Sequence, residues 1–147
     1  GLAQVSGDAV LNANYILRSL DDVLDAPFGG SGPCMHEALF SDRGLAEGFT
    51  TLDIAKALID EGFHPMTMYF PLVVHGAMLI EPTETESKAA LDQFILALRS
   101  LAQRAKAGDE ALKGAPYHAP RRRLDETLAA RKPVLTWEAP ALAQAAE

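Results

Sequence analysis

Apolar residues recur at the spacing of an amphipathic helix in two segments of the first half of the chain. The first segment covers residues 8–24 and stops before a loop rich in glycine and proline. The second begins after Thr50, which is spaced with Asp53 as a helix-capping box, and stops at Gly62. These patterns predict two helices that each bury one apolar stripe.

The longest helix is predicted over residues 84–107, again from apolar residues at helical spacing. Thr83 and Glu86 have the spacing of a second capping box at its start, and Gly108 can end it. A short fourth helix is predicted over residues 124–130, after a loop.

Three shorter segments favour β-strands. Residues 35–41 alternate between two sets of side chains, as strand residues do when they point to opposite faces of a sheet. Residues 67–70 and 77–81 are bounded by prolines, which remove a ladder donor and so limit a strand. The order of elements predicts an α+β fold, with a small, mainly antiparallel sheet and its helices packed on one face.

Composition narrows the class of protein. The 147 residues, 48% of them hydrophobic, fit one globular domain over residues 1–137, followed by an alanine-rich flexible tail over 138–147. A net charge of −7 speaks against nucleic-acid binding, which needs clustered positive charge. The apolar runs are far shorter than the roughly 20 residues that span a bilayer. A lone cysteine, Cys34, favours a reducing compartment, and the cytoplasm is the expected location.

Residues that could carry chemistry are scarce. The four histidines lack metal-ligand spacing, so no metal site is predicted, and the glycine-rich residues 28–33 favour a turn over a phosphate loop. Cys34 is either a packed small residue or an accessible thiol. The run of residues 121–123, all arginine, favours a solvated patch, with an anion or partner contact as the alternative. Asn12 and Asn14 are unfavourable inside a helix, which marks either a functional position or a tolerated pair.

Four strings in the chain resemble one enzyme family. The strings are LNANYI, TTLDIAKALIDEGFHPMTMYFPLVV, LIEPTETESKAALDQFI and RRRLDETLAARKPVL. Over residues 9–137 the sequence looks like the C-terminal region of the P-protein of the glycine cleavage system, which is glycine dehydrogenase (decarboxylating). The match is to the catalytic second subunit of the two-subunit bacterial form.

The resemblance implies a fold, an activity and partners. P-proteins bind pyridoxal phosphate through a Schiff-base lysine in a large domain, decarboxylate glycine and pass the aminomethyl group to the lipoyl arm of H-protein. Their C-terminal region is a small domain that closes over the cofactor. The segment with the cofactor lysine does not occur here. We therefore expect a fragment that binds no cofactor and is inactive alone, whose partners are the large domain, the first subunit and H-protein, and which self-associates.

The resemblance also supplies candidate site residues, although none is expected to be catalytic within this chain. They are expected to face the active-site cleft or the lipoyl entrance and to position substrate: Asn14, His64, Thr67, Glu81, Thr83 and Glu84. The acidic members could instead only stabilise a helix N-terminus through the helix dipole. Two further alternatives are a stand-alone α+β module that binds a ligand or partner, and a purely scaffolding fragment.

Overall fold

A computed structural model describes residues 1–137, and the predicted tail lies outside them. The described part of the chain forms four α-helices, three β-strands and two short 3₁₀ turns. In chain order the helices and strands are α1 (Leu2–Leu20), β1 (Ala38–Ser41), α2 (Thr51–Asp60), β2 (Thr67–Met68), β3 (Ala77–Ile80), α3 (Lys88–Lys106) and α4 (Glu126–Arg131).

The three strands form one antiparallel sheet in the order β1-β3-β2. Phe40 lies opposite Met78 on the inner face, and both side chains are fully buried. Leu39 lies opposite Leu79 on the outer face, where Thr67 of β2 is the other neighbour of Leu79. The predicted α+β class and the antiparallel sheet are confirmed.

Helices α1, α2 and α3 cover the inner face of the sheet and form the core with it. Both α1 and α2 pack on α3, and α1 also contacts β1. Burying their apolar stripes contributes roughly 25 cal/mol per Å² of apolar surface removed from water. The largest fully buried side chains of the three helices are Ile16, Leu20, Ile54, Leu58, Leu98 and Leu101.

The ends of α2 follow the prediction. The Thr50 backbone N–H donates to Asp53 Oδ2 at 2.9 Å, as part of a capping box. Gly62 has a φ of +84°, the left-handed conformation that glycine adopts without steric cost just after a helix.

The predicted start of α3 is wrong. The helix begins at Lys88, and its N-cap is Ser87, whose Oγ accepts from the Ala90 N–H at 3.2 Å. Thr83 instead has a φ of +57°, and its hydroxyl lies 2.9 Å from that of Thr85. A residue in the left-handed region cannot serve as an N-cap, which needs extended backbone. Residues 82–87 therefore form a turn ahead of the helix.

Other boundaries shift as well, and strand β1 begins at Ala38 rather than at the predicted residue 35. The first helix lies at Leu2–Leu20, earlier than the predicted 8–24, and the Arg99 guanidinium binds both the Ser19 carbonyl and the Asp22 carboxylate at its end. The hydrogen bond from Arg99 holds the pKa of Asp22 below its ordinary value. Strand β2 ends before Tyr69 because the φ of that residue is +63°, which is incompatible with a strand.

Candidate functional site

A cavity of about 400 Å³ brings together three of the six predicted site residues. His64 lies in the segment before β2, Thr67 begins β2, and Glu81 directly follows β3. Because β2 and β3 pair side by side, these side chains reach one cavity although up to 17 positions separate them. Glu86 joins them on its wall, and we call this space the acidic cavity.

The rest of the lining of the acidic cavity is largely apolar. Phe63 and Phe94 meet edge to face, with ring centroids 5.5 Å apart. Met66 and Leu91, both buried, also line it. The cavity therefore combines an apolar surface with a few polar groups, which is the usual composition of a small-molecule site.

The charged groups of the acidic cavity are mostly negative. Neither lysine nor arginine occurs among its lining residues. His36 lies outside the lining but places its Nε2 3.8 Å from Glu81 Oε1, so a protonated His36 would form an ion pair with this carboxylate. The arrangement can accept hydrogen bonds from a donor or stabilise a positive charge.

Asn14 supports a neighbouring loop and does not line the acidic cavity. Its side-chain amide donates to the Cys34 carbonyl at 2.7 Å, and its Oδ1 accepts from the Cys34 N–H at 2.9 Å. Both backbone groups of Cys34 are therefore fixed to α1 by one side chain.

Thr83 and Glu84 lie in the turn ahead of α3, and they too are outside the lining of the acidic cavity. The Thr83 carbonyl accepts from the Asn12 side-chain amide at 2.8 Å, and the same amide lies 3.2 Å from the Glu86 carbonyl. Asn12 thus connects α1 to the turn that carries Glu86. Asn12 was not among the candidate site residues, although its low helix propensity had marked the position.

A second cavity, of about 560 Å³, lies on the outer face of the sheet. Leu39 and Leu79 line it from the sheet, and Phe28, Cys34 and Phe70 line it from the adjoining loops. Leu79 lines both cavities, so the two are adjacent. We call this second space the apolar cavity.

Cys34 is partly buried and packs against the core. Burial raises the pKa of its thiol above the ordinary value. Since the thiolate is the reactive form, we expect alkylation by iodoacetamide at pH 7.5 to be about tenfold slower in the native chain than in urea. Peptide mass spectrometry against time measures both rates. Equal rates in the two states would contradict the packed position of Cys34.

The prediction of a solvated arginine patch is wrong for Arg123, whereas Arg122 is exposed as predicted. Arg123 donates to Asp53 Oδ1 at 2.8 Å and to the carbonyls of Ala115 and Leu112. Arg122 donates to a loop carbonyl and lies over an aromatic ring. These side chains hold the C-terminal segment onto the domain, so they are engaged within the chain itself.

Within residues 1–137, no three histidine, cysteine, aspartate or glutamate side chains cluster as a metal site would require. None of the helices in this part of the chain is both long and apolar enough to cross a membrane.

The fold and the cavities define a small α+β domain with two adjoining cavities. Residues 5–118 match the family model described as glycine dehydrogenase, C-terminal domain. The chain belongs to this family.

Individual relatives agree with the family match. The chain is 72% identical over 140 residues to the probable glycine dehydrogenase (decarboxylating) subunit 2 of Caulobacter vibrioides, covering 94% of this chain and 26% of that protein. Proteins of the same name from Shouchella clausii and Thermotoga petrophila are 52% and 46% identical over 139 residues, covering 94% and 93% of this chain and 28% and 29% of theirs. The chain thus spans little more than a quarter of these relatives.

Proposed function

We propose that this chain is the C-terminal domain of a cytoplasmic, pyridoxal-phosphate-dependent glycine dehydrogenase (decarboxylating), subunit 2. The complete enzyme would decarboxylate glycine and transfer the aminomethyl group to the lipoyl arm of H-protein, together with a first subunit. The observation that carries this proposal is the match over residues 5–118, with 72% identity to the Caulobacter relative. A stand-alone binding module is not favoured, because the relatives contain this chain as part of a longer protein.

The residues of this chain do not fit covalent binding of pyridoxal phosphate. A Schiff base needs a lysine that faces a cofactor-sized cavity, and no lysine lines the acidic cavity or the apolar cavity. Lys88 is held by Asp92 and Tyr15, and Lys113 by Glu110. The proposal therefore assigns the cofactor lysine to the rest of the enzyme and gives this domain a role in positioning.

Titration of the isolated chain with pyridoxal phosphate tests that assignment. We expect no stoichiometric absorbance band of an internal aldimine, and after borohydride reduction only scattered, substoichiometric labelling of the five lysines. Absorbance spectra and peptide mass spectrometry provide the readouts. One fully labelled lysine at one equivalent of cofactor would overturn the assignment.

Within this proposal, His64, Thr67 and Glu81 face the reacting partners through the acidic cavity. Asn14, Thr83 and Glu84 lie on the elements that flank it and would keep those elements in place. The carboxylates of the acidic cavity favour a ligand group that carries a positive charge or donates hydrogen bonds, and a protonated amine does both. None of these residues is assigned a proton-transfer step.

The site residues can be tested in a chimera, in which this chain replaces the matching quarter of the Caulobacter relative. We expect Glu81→Gln and His64→Ala in the chimera to lower kcat/KM for glycine decarboxylation about tenfold, since small losses of positioning have large effects on rate. Glu47→Gln, which removes an exposed carboxylate that does not line the cavity, is the matched control. Unchanged kinetics in both site variants would remove these residues from the proposed site.

A further inference from the structure

The outer face of the sheet continues into a large exposed apolar surface. The walls of the apolar cavity include Phe28 and Phe70, each more than half exposed. Met35 directly follows the lining residue Cys34, and Leu72 and Val73 directly follow the lining residue Pro71; the three are 76%, 80% and 84% exposed. We call these five side chains the outer apolar surface. Contiguous exposed apolar patches of this kind mark interaction sites in soluble proteins.

The backbone holds the outer apolar surface in place. The Tyr69 N–H donates to the Ala77 carbonyl at 2.8 Å, which closes the loop that carries Leu72 and Val73. Within that loop the Val74 N–H donates to the Pro71 carbonyl at 3.0 Å, and the Val74 side chain is buried. Because Val74 points inward, its two predecessors are held outward. A surface fixed in this way loses little conformational entropy when a partner covers it.

The backbone next to Met35 is also held in place. Asn14 fixes both backbone groups of the preceding residue, Cys34, to α1. The exposed position of Met35 is therefore set by a side chain 21 positions earlier in the chain.

The charge of this surface limits what can cover it. Glu37 is the one charged residue that lines the apolar cavity in the described structure. The neighbouring acidic cavity carries two carboxylates and a histidine. We thus expect the outer face to be covered by an apolar surface of another protein part, whereas a polar ligand would enter the acidic cavity.

We propose that the preceding part of the same subunit covers the outer apolar surface and leaves the mouth of the acidic cavity open. This inference rests on the proposed function. Roughly three quarters of the length of the Caulobacter relative lies outside the matched region. The family model describes the matched region as the C-terminal domain. Interfaces between domains of one chain typically bury about 600–1,500 Å², enough to cover five such side chains.

Thiol accessibility in the chimera with the Caulobacter relative tests the inference. Leu72→Cys places a probe in the outer apolar surface, and Leu96→Cys places a control on the exposed face of α3, where Leu96 is 67% exposed. Alkylation rates at each position are measured by peptide mass spectrometry, in the chimera and in this chain alone. We expect the Leu72→Cys probe to react at least tenfold more slowly in the chimera, and the control to change less than twofold.

Three results would overturn the inference. The Leu72→Cys probe could react equally fast in both proteins, the control alone could be protected, or the protection of the probe in the chimera could be lost on dilution. The third result would identify a second copy as the occupant. Glycine decarboxylation is measured in the same chimera preparations. An active chimera with an unprotected probe refutes the docking surface alone, whereas a folded but inactive chimera refutes the proposed function.

Discussion

Replacing Phe40 by alanine is expected to lower the free energy of unfolding by about 3–5 kcal/mol. The Phe40 ring is fully buried on β1, opposite Met78, and belongs to the core that the helices form against the sheet. Truncation removes the transfer free energy of the ring and leaves a cavity that the surrounding helices fill only in part. Urea unfolding followed by circular dichroism measures the change.

Phe28→Ala is the matched control, because Phe28 is more than half exposed and lies outside the core. Its truncation is expected to cost less than about 1 kcal/mol. Equal losses in the two variants would mean that the inner face of the sheet is not the centre of the fold.

The second large effect is expected from Asp53→Ala, which should lower the free energy of unfolding by about 2–4 kcal/mol. The buried Asp53 carboxylate caps α2 through the Thr50 N–H and accepts from Arg123 at 2.8 Å. Its loss leaves the Arg123 guanidinium, itself only about one third exposed, without its counter-charge. Urea unfolding again gives the magnitude.

Glu110→Ala provides the comparison for this ion pair. Glu110 pairs with Lys113 at 2.9 Å, but its side chain is 74% exposed, and exposed pairs are worth about 0–1 kcal/mol. Amide hydrogen exchange adds a local readout: Asp53→Ala should loosen residues 115–123 as well as the start of α2. If only the helix start loosens, Arg123 does not hold the C-terminal segment through Asp53.

Local sequence rules predicted those parts of the fold that depend on local interactions. The capping box of Thr50 and Asp53 and the ends at Gly62 and Gly108 involve residues within one or two turns of each other, so spacing alone was sufficient. The strand alternation around Phe40 likewise predicted β1, since a period of two is a property of neighbouring residues.

Long-range contacts account for the errors. The Thr83 turn is held by Asn12, 71 positions earlier, so a capping pattern read from residues 83–86 could not reveal it. The role of Arg123 depends on Asp53, 70 positions away, and a run of three arginines carries no sign of that partner. Propensity and spacing describe neighbours along the chain, whereas these contacts depend on how the elements pack.

The candidate site shows the same division. His64, Thr67 and Glu81 were chosen by resemblance, and strand pairing brings them to one cavity. The resemblance alone could not separate them from Asn14, Thr83 and Glu84, which lie in matching strings too but bind or flank other elements. Only the register of β2 on β3 makes that distinction.

The most direct measurement is the release of carbon dioxide from carboxyl-labelled glycine by the chimera with the Caulobacter relative, under conditions in which that relative is active. This account predicts a kcat within about tenfold of the unaltered relative, and no release by this chain alone. A chimera that folds and binds pyridoxal phosphate but releases no carbon dioxide would contradict the claim that this chain completes the enzyme. Release by the isolated chain would contradict the claim that the cofactor lysine lies elsewhere.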